Sequence, residues 1–260
     1  MDGWIKMFEI DGDEKVAAVR YVNRRNIVSI NQEGGGRIAA VMNNGDAVGM
    51  PEMPPSEAKL PYDAEIEYLE STGTQYIDTG VVPALSDTVS ISFRRTAQNA
   101  AVFGCCNRVW SGGVAIYCGG FRYGATSWQN NTLNTVGSDV SVEMRGAELY
   151  VNGTLRTTFS AQAEEPQRSL YIFALHVPTG VNYYVSARCY SLSVSRNGTT
   201  LIDYIPVRVG SGSSAVGYLY DRANPDGGPL GNGLYGNAAD GQGGVTGFPA
   251  NCIGPDKPKP

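Results

Sequence analysis

The chain has 260 residues, of which 42% are hydrophobic and 17% charged, and it carries a formal net charge of −5. That length can bury a core without disulfide staples, and thin acidic charge with no run of Lys or Arg excludes nucleic acid as a main partner and a basic membrane patch. Glycine (33 residues) and tyrosine (15) are abundant, so an all-β protein with one large and one small unit is the expectation.

In chain order, Met1 to Lys6 places acid where a secretion signal needs base, and no apolar run long enough for a signal or a membrane span follows. Neither ordinary secretion nor membrane insertion is expected. Residues 1–50 contain short apolar-rich runs at 4–10, 16–22, 26–30, 38–42 and 47–50. Asp11-Gly12-Asp13, Gly34-Gly35-Gly36 and Asn43-Asn44-Gly45-Asp46 punctuate them with hairpin chemistry. A small β-meander or partly open barrel is predicted. The glycine triplet lacks the Gly-Lys-Ser/Thr ending of a phosphate loop and reads as a turn, and Arg24-Arg25 reads as a solvated corner. Residues 51–61 hold four prolines, which makes them a semi-rigid linker.

From Tyr62 the strands come at sandwich spacing. Val89 to Arg94 and Val140 to Arg145 alternate apolar and polar residues, as half-buried strands do. Asn152-Gly153 and Asn197-Gly198 each sit between strand-like arms and predict type I′ hairpin turns. That assignment is preferred to glycosylation for the Asn-x-Thr triplets at Asn152 and Asn197; Asn130 begins a third triplet. Leu170 to Leu175 is apolar on both sides and predicts a strand covered on both faces.

The stretch Ile66-Glu67-Tyr68-Leu69-Glu70-Ser71-Thr72-Gly73-Thr74-Gln75-Tyr76-Ile77-Asp78-Thr79-Gly80 has two short apolar pairs around a Ser-Thr-Gly-Thr turn cluster, which predicts two short strands. It resembles the opening of the concanavalin A-like (laminin-G-like) jelly-roll domains in proteins of gut bacteria and their phages. Asp203-Tyr204-Ile205-Pro206-Val207-Arg208 with Val216-Gly217-Tyr218-Leu219-Tyr220-Asp221 resembles the closing strands of the same group. The resemblance implies an antiparallel β-sandwich over residues 62–225, and its motifs carry no catalytic set. Residues 226–260 fall outside the pattern, and with few apolar anchors they are expected to be a loosely structured Gly/Pro-rich tail.

The chemistry is read from what remains. Five cysteines without a C-x-x-C spacing give neither a zinc site nor a full disulfide framework and read as buried thiols. Glu65, Glu67 and Glu70 superficially resemble the Glu-x-Asp-x-x-Glu strand of glycoside hydrolases, but Glu67 replaces the central Asp and the motif lies in the first strand, so no catalytic residue is expected. The single histidine, His176, has no Gly-x-Ser-x-Gly elbow to serve. Asp221 to Gly227 offers oxygen ligands at a spacing that misses the EF-hand pattern and reads as a turn, so neither metal nor cofactor is expected.

Binding is the stronger option. Trp110, Arg122, Tyr123, Trp128, Gln129, Asn130, Asn131, Tyr183 and Tyr184 place rings and amides among glycines in apparent loops, the kind of surface sugars use for stacking and hydrogen bonding. The alternative is that Trp110 and Trp128 are inward anchors. The reading that follows is a non-enzymatic virion-associated structural or adhesion protein of a phage. Residues 1–50 would join it to other virion proteins, with self-association about a symmetry axis as an option, and the jelly roll would display a lectin-like face to host or mucus glycans. The alternatives are a carbohydrate-binding module of a gut bacterial protein and a glycoside hydrolase.

Overall fold

The computed structural model describes residues 4–10, 16–23, 27–33, 37–42, 60–97, 101–108, 111–117, 120–129, 133, 135–160 and 164–258; for residues 4–42, Ser111, Trp128 and Gln129 it describes the backbone alone. The chain divides into two compact units, Met1–Lys59 and Leu60–Pro260. The boundary falls inside the proline-rich stretch.

The first unit contains β1 (Trp4–Ile10), β2 (Val16–Asn23), β3 (Ile27–Glu33) and β4 (Arg37–Met42). They pair as two antiparallel hairpins, β1 with β2 and β3 with β4, each carrying a register shift. Four of the five expected strands are therefore present, as two separate two-stranded sheets among the described residues. A two-stranded sheet is marginal in water unless something covers it. The expected strand at 47–50, the three turns and linker residues 51–59 lie outside the described residues.

The second unit runs β5 (Ala64–Glu65), β6 (Leu69–Thr72), β7 (Ile77–Asp78), β8 (Thr88–Arg95), β9 (Ala101–Arg108), β10 (Ser111–Tyr117), β11 (Gly120–Gly124), β12 (Thr126–Gln129), β13 (Asp139–Arg145), β14 (Glu148–Val151), β15 (Thr154–Thr158), β16 (Tyr171–Ile172), β17 (Leu175–Val177), β18 (Gly180–Asn182), β19 (Ser186–Arg196), β20 (Thr199–Val209), β21 (Val216–Asp221), β22 (Leu234–Tyr235) and β23 (Phe248–Pro249). Among the described residues there is no α-helix, only short 3-10 turns. The larger sheet has the order β15-β14-β13-β8-β19-β20-β21-β22, with β5, β6 and β23 pairing onto its strands; the smaller runs β12-β11-β10-β9-β16-β7, with β17 pairing onto β9 and β18 onto β17.

Strict alternation makes the layers. In β8, Val89, Ile91 and Phe93 are buried while Thr88, Ser90, Ser92 and Arg94 are half-buried, and β13 repeats this with Val140, Val142 and Met144. These inward residues meet Val114, Ile116, Phe121 and Ile172 of the smaller sheet in one core. Burying such a face is what holds two antiparallel sheets together. Both Asn-Gly turns form as expected: Asn152 and Asn197 each have φ 50°, followed by Gly153 at 73° and Gly198 at 79°.

The opening motif forms its two short strands, but they belong to different sheets, β6 pairing with β19 and β7 with β16. The turn between them is fixed by Gln75, whose Oε1 accepts the Thr72 N–H at 2.9 Å, and by Ser71, whose Oγ accepts the Gly73 N–H at 3.1 Å. The segment 170–175 is buried throughout, as expected of a strand covered on both faces, yet it is broken. Phe173 has φ 66°, and its N–H donates to Val102 while its carbonyl accepts from Val185. Tertiary bonds hold a conformation that local preference disfavours.

The C-terminal segment differs from the expected loose tail. Residues 226–258 supply β22 and β23, and Leu234, Tyr235, Phe248 and Cys252 are buried in the sandwich. Close backbone approach explains the glycines: a Cβ on Gly236 would lie 2.3 Å from the Thr246 carbonyl oxygen. The end of this segment returns to the beginning of the second unit. Ile253 bridges Leu69, Asp256 bridges Ile66, and the Lys257 N–H donates to the Glu65 carbonyl at 2.8 Å.

Candidate functional site

The described residues converge on one end of the smaller sheet, where β7 and β16 meet the C-terminal segment. Tyr171 stands opposite Asp78 in the ladder. Its ring lies 4.8 Å from that of Tyr76 and stacks on His176 at 4.0 Å with a 12° interplanar angle. Tyr184 adds a fourth ring, 6.0 Å from Tyr76 in a T-shaped arrangement. Tyr76, His176 and Tyr184 are half-buried, while Tyr171 is buried.

Beside these rings is a cleft of about 320 Å³ lined by Asp78, Thr79, Gly80, Gly228, Pro229, Tyr235, Gly236, Gly243 and Gly244. That volume is at the small end for ligand sites. Asp78 Oδ1 accepts the Gly80 N–H at 2.9 Å, so one carboxylate oxygen is fixed and lone pairs remain at the other. The glycine wall is tied to the aromatic cluster by Asn237, whose Oδ1 accepts the N–H groups of Tyr76 at 3.3 Å and Ala239 at 3.1 Å, and by the Ala238 N–H donating to the Tyr76 carbonyl at 2.8 Å.

The electrostatics are acidic. Burial first, then Tyr184 and Asp78, push the Tyr76 phenol above its ordinary value. Tyr235 is likewise raised, by burial and then by Asp221 and Asp78, against a lowering bond from Tyr204. Tyr171 is pushed up by burial, Asp78 and Tyr76, with Arg168 opposing. Among the described residues no Lys or Arg lines the cleft.

His176 is not a base poised on a serine. Its Nδ1 lies 2.9 Å from the Ser169 carbonyl oxygen, which requires Nδ1 to carry the proton, and 3.2 Å from Ser169 Oγ. A protonated Nδ1 cannot take the hydroxyl proton. Glu65, Glu67 and Glu70 do not lie on one continuous strand. Glu65 pairs with Lys257 at 3.8 Å across the surface, and Glu70 accepts Arg188 Nε at 2.8 Å. The Asp221 carboxylate is buried, and its Oδ1 accepts the N–H groups of Asp203 at 2.9 Å and Ala223 at 3.0 Å, which closes the expected turn. No group of three or more His, Cys, Asp or Glu that could hold a metal occurs among the described residues.

The sequence-predicted site residues are scattered. Tyr184 joins the cluster around Tyr76. Tyr183, its neighbour, turns to Tyr117 instead, with centroids 4.7 Å apart, and packs on a patch formed by Ala101, Cys106, Ala115, Leu175 and Val177. Arg122 stands opposite Ala115 and Ser127 in the ladder and acts electrostatically on Cys106. Tyr123 is a core residue: it is buried, stacked on Phe159 at 5.1 Å, and its hydroxyl donates to the Leu85 carbonyl at 3.0 Å. Its register faces it inward beside Phe121, so it cannot offer a ring to a sugar. Trp128 and Gln129 stand in β12 opposite Phe121 and Gly120. Trp110, Asn130 and Asn131 lie outside the described residues.

Sequence reasoning missed Tyr76, Asp78, Tyr171 and Tyr235, and it treated the glycine wall as a tail. The available signal was the pairing of Leu234-Tyr235 and Phe248 with regularly placed glycines.

Fold and cleft define an all-β, two-sheet unit with a small, acidic, aromatic-edged cleft at one end. The chain matches no family model and no curated protein.

Proposed function

We propose that this is a non-enzymatic adhesion and display protein whose second unit binds glycans in the cleft at Asp78. The observation that carries the reading is an open cleft lined by Asp78, Tyr235 and glycines, with the half-buried ring of Tyr76, itself 6.0 Å from that of Tyr184, tied to the glycine wall through Asn237 and Ala238. The accessible part of a tyrosine ring packs on a sugar face, and a carboxylate with backbone groups accepts from and donates to hydroxyls. The smallness of the cleft fits one or two sugar rings, which gives weak single contacts that gain by multivalency.

The finer reading follows from the resemblance: a concanavalin A-like jelly roll of a phage particle, with residues 1–50 as the attachment module. Two hairpins whose outer edges have no strand partner among the described residues support it, because docking or self-association would cover such edges. A glycan panel probed with the full chain tests the binding. Retained binding by a Tyr76→Ala, Tyr184→Ala double variant that still melts cooperatively would remove the ring cluster from the reading.

A further inference from the structure

The proposed glycan site has a charge character that restricts its ligand. Asp78 lines the cleft with one oxygen held by the Gly80 N–H. Asp78 and Asp240 bear on Tyr76, Asp78 and Asp221 bear on Tyr235, and among the described residues no Lys or Arg lines the cleft. Arg168 acts on Tyr171 and is not among the residues that line the cleft. The remaining wall is Thr79, Tyr235 and glycine backbone, with the exposed Pro229 also lining it.

A ligand carboxylate or sulfate entering this cleft would meet like charge with no cation among the described lining residues to offset it, and such juxtaposition is costly where water is partly excluded. A sugar hydroxyl pair meets the opposite situation. Two adjacent hydroxyls donate to the two oxygens of one carboxylate, and bonds to an ionised acceptor are the stronger kind. Resting on the glycan reading above, we propose that the cleft selects uncharged sugars presenting two adjacent hydroxyls to Asp78, and excludes sialylated, uronate-bearing and sulfated glycans.

The test uses the full chain on matched glycan pairs that differ only in the acidic group, read by equilibrium binding in the presence of a chelator. The expected result is binding of the uncharged member, a loss on the order of tenfold or more in Asp78→Asn as charge-assisted bonds weaken, and little binding of the acidic member. A second variant, Pro229→Arg, places a cation at the exposed rim, leaves Asp78 in place, and should raise binding of the acidic member relative to the unaltered chain. Thermal melts of both variants check folding. Equal or better binding of acidic glycans, a preference for amine-bearing sugars, or unchanged binding in a folded Asp78→Asn each overturns the selectivity while leaving the glycan reading intact. Failure of the unaltered chain to bind any member overturns the glycan reading itself.

Discussion

Replacing Phe248 by Ala tests whether the glycine-rich C-terminal segment is part of the sandwich. Phe248 is fully buried, its ring 5.9 Å from that of Phe173, and it sits in β23 beside Val216 and Gly217 of β21. Truncating a buried Phe removes its transfer free energy and leaves a cavity, together about 3–5 kcal/mol. The ring pair adds roughly 0.5–1.5 kcal/mol that overlaps that figure. Gly247 cannot lend volume to refill the gap, because its own Cβ position is already 2.8 Å from Val216 and Tyr218. A loss near 4 kcal/mol is therefore expected in urea unfolding followed by tyrosine fluorescence. Leu230→Ala, in the same segment but 40% exposed, provides the control and should shift stability by less than about 0.5 kcal/mol. Equal small effects for both would mean that the segment merely rests on the sheet, and the packing argument would fail.

Gly153→Val and Gly198→Val should each cost on the order of 1 kcal/mol or more, since both sites need positive φ and have open space around the Cβ position, so the cost is conformational; unchanged melting of both would refute the turn geometry. Burial pushes the Cys105 and Cys189 thiols up to about 12 and Cys106 to about 11. All three should resist alkylation at pH 8 in the folded chain and react on unfolding. The native state keeps these protons after the unfolded state has released them, so this contribution to stability is present below about pH 8.5 and is lost as pH rises toward 11–12. Asp256 is held below the usual carboxylate range by its bond to Arg208, a contribution present above the ordinary carboxylate value and lost as pH falls through the lowered one. Asp256→Asn should accordingly flatten the acid limb of a melting-versus-pH profile. Deletion of residues 1–55 should abolish incorporation into a parent assembly while leaving the second unit folded, measured by co-sedimentation and by circular dichroism; retained incorporation would refute the attachment role.

What the sequence revealed was mostly local. Asn152-Gly153 and Asn197-Gly198 were legible because the turn's requirement is met within two residues, and β8 and β13 because alternation records which face is wet. The break at Phe173 was illegible, since bonds to Val102 and Val185 impose it from elsewhere in the chain. Tyr123 was misplaced for a related reason: glycine neighbours suggested a loop, whereas pairing with β10 and β12 makes 120–124 a strand and turns the ring inward. The cleft could not be foreseen because Asp78 and Gly236 are far apart in sequence, and the glycines that wall it look like disorder until their close contacts are known.

The meeting of residues 253–257 with 64–69 has a consequence for synthesis. A ribosome releases Glu65 and Leu69 nearly two hundred residues before Lys257 and Ile253, so β5 and β6 wait with one side open until residues 253–257 emerge. Closure of the unit then waits on contacts that span almost its whole length, which makes it slow. Since entry and exit lie side by side, the unit also behaves as a cassette: it can be grafted into a surface loop of another protein, or its ends joined and reopened at the Asn197-Gly198 turn, with little displacement of the host backbone.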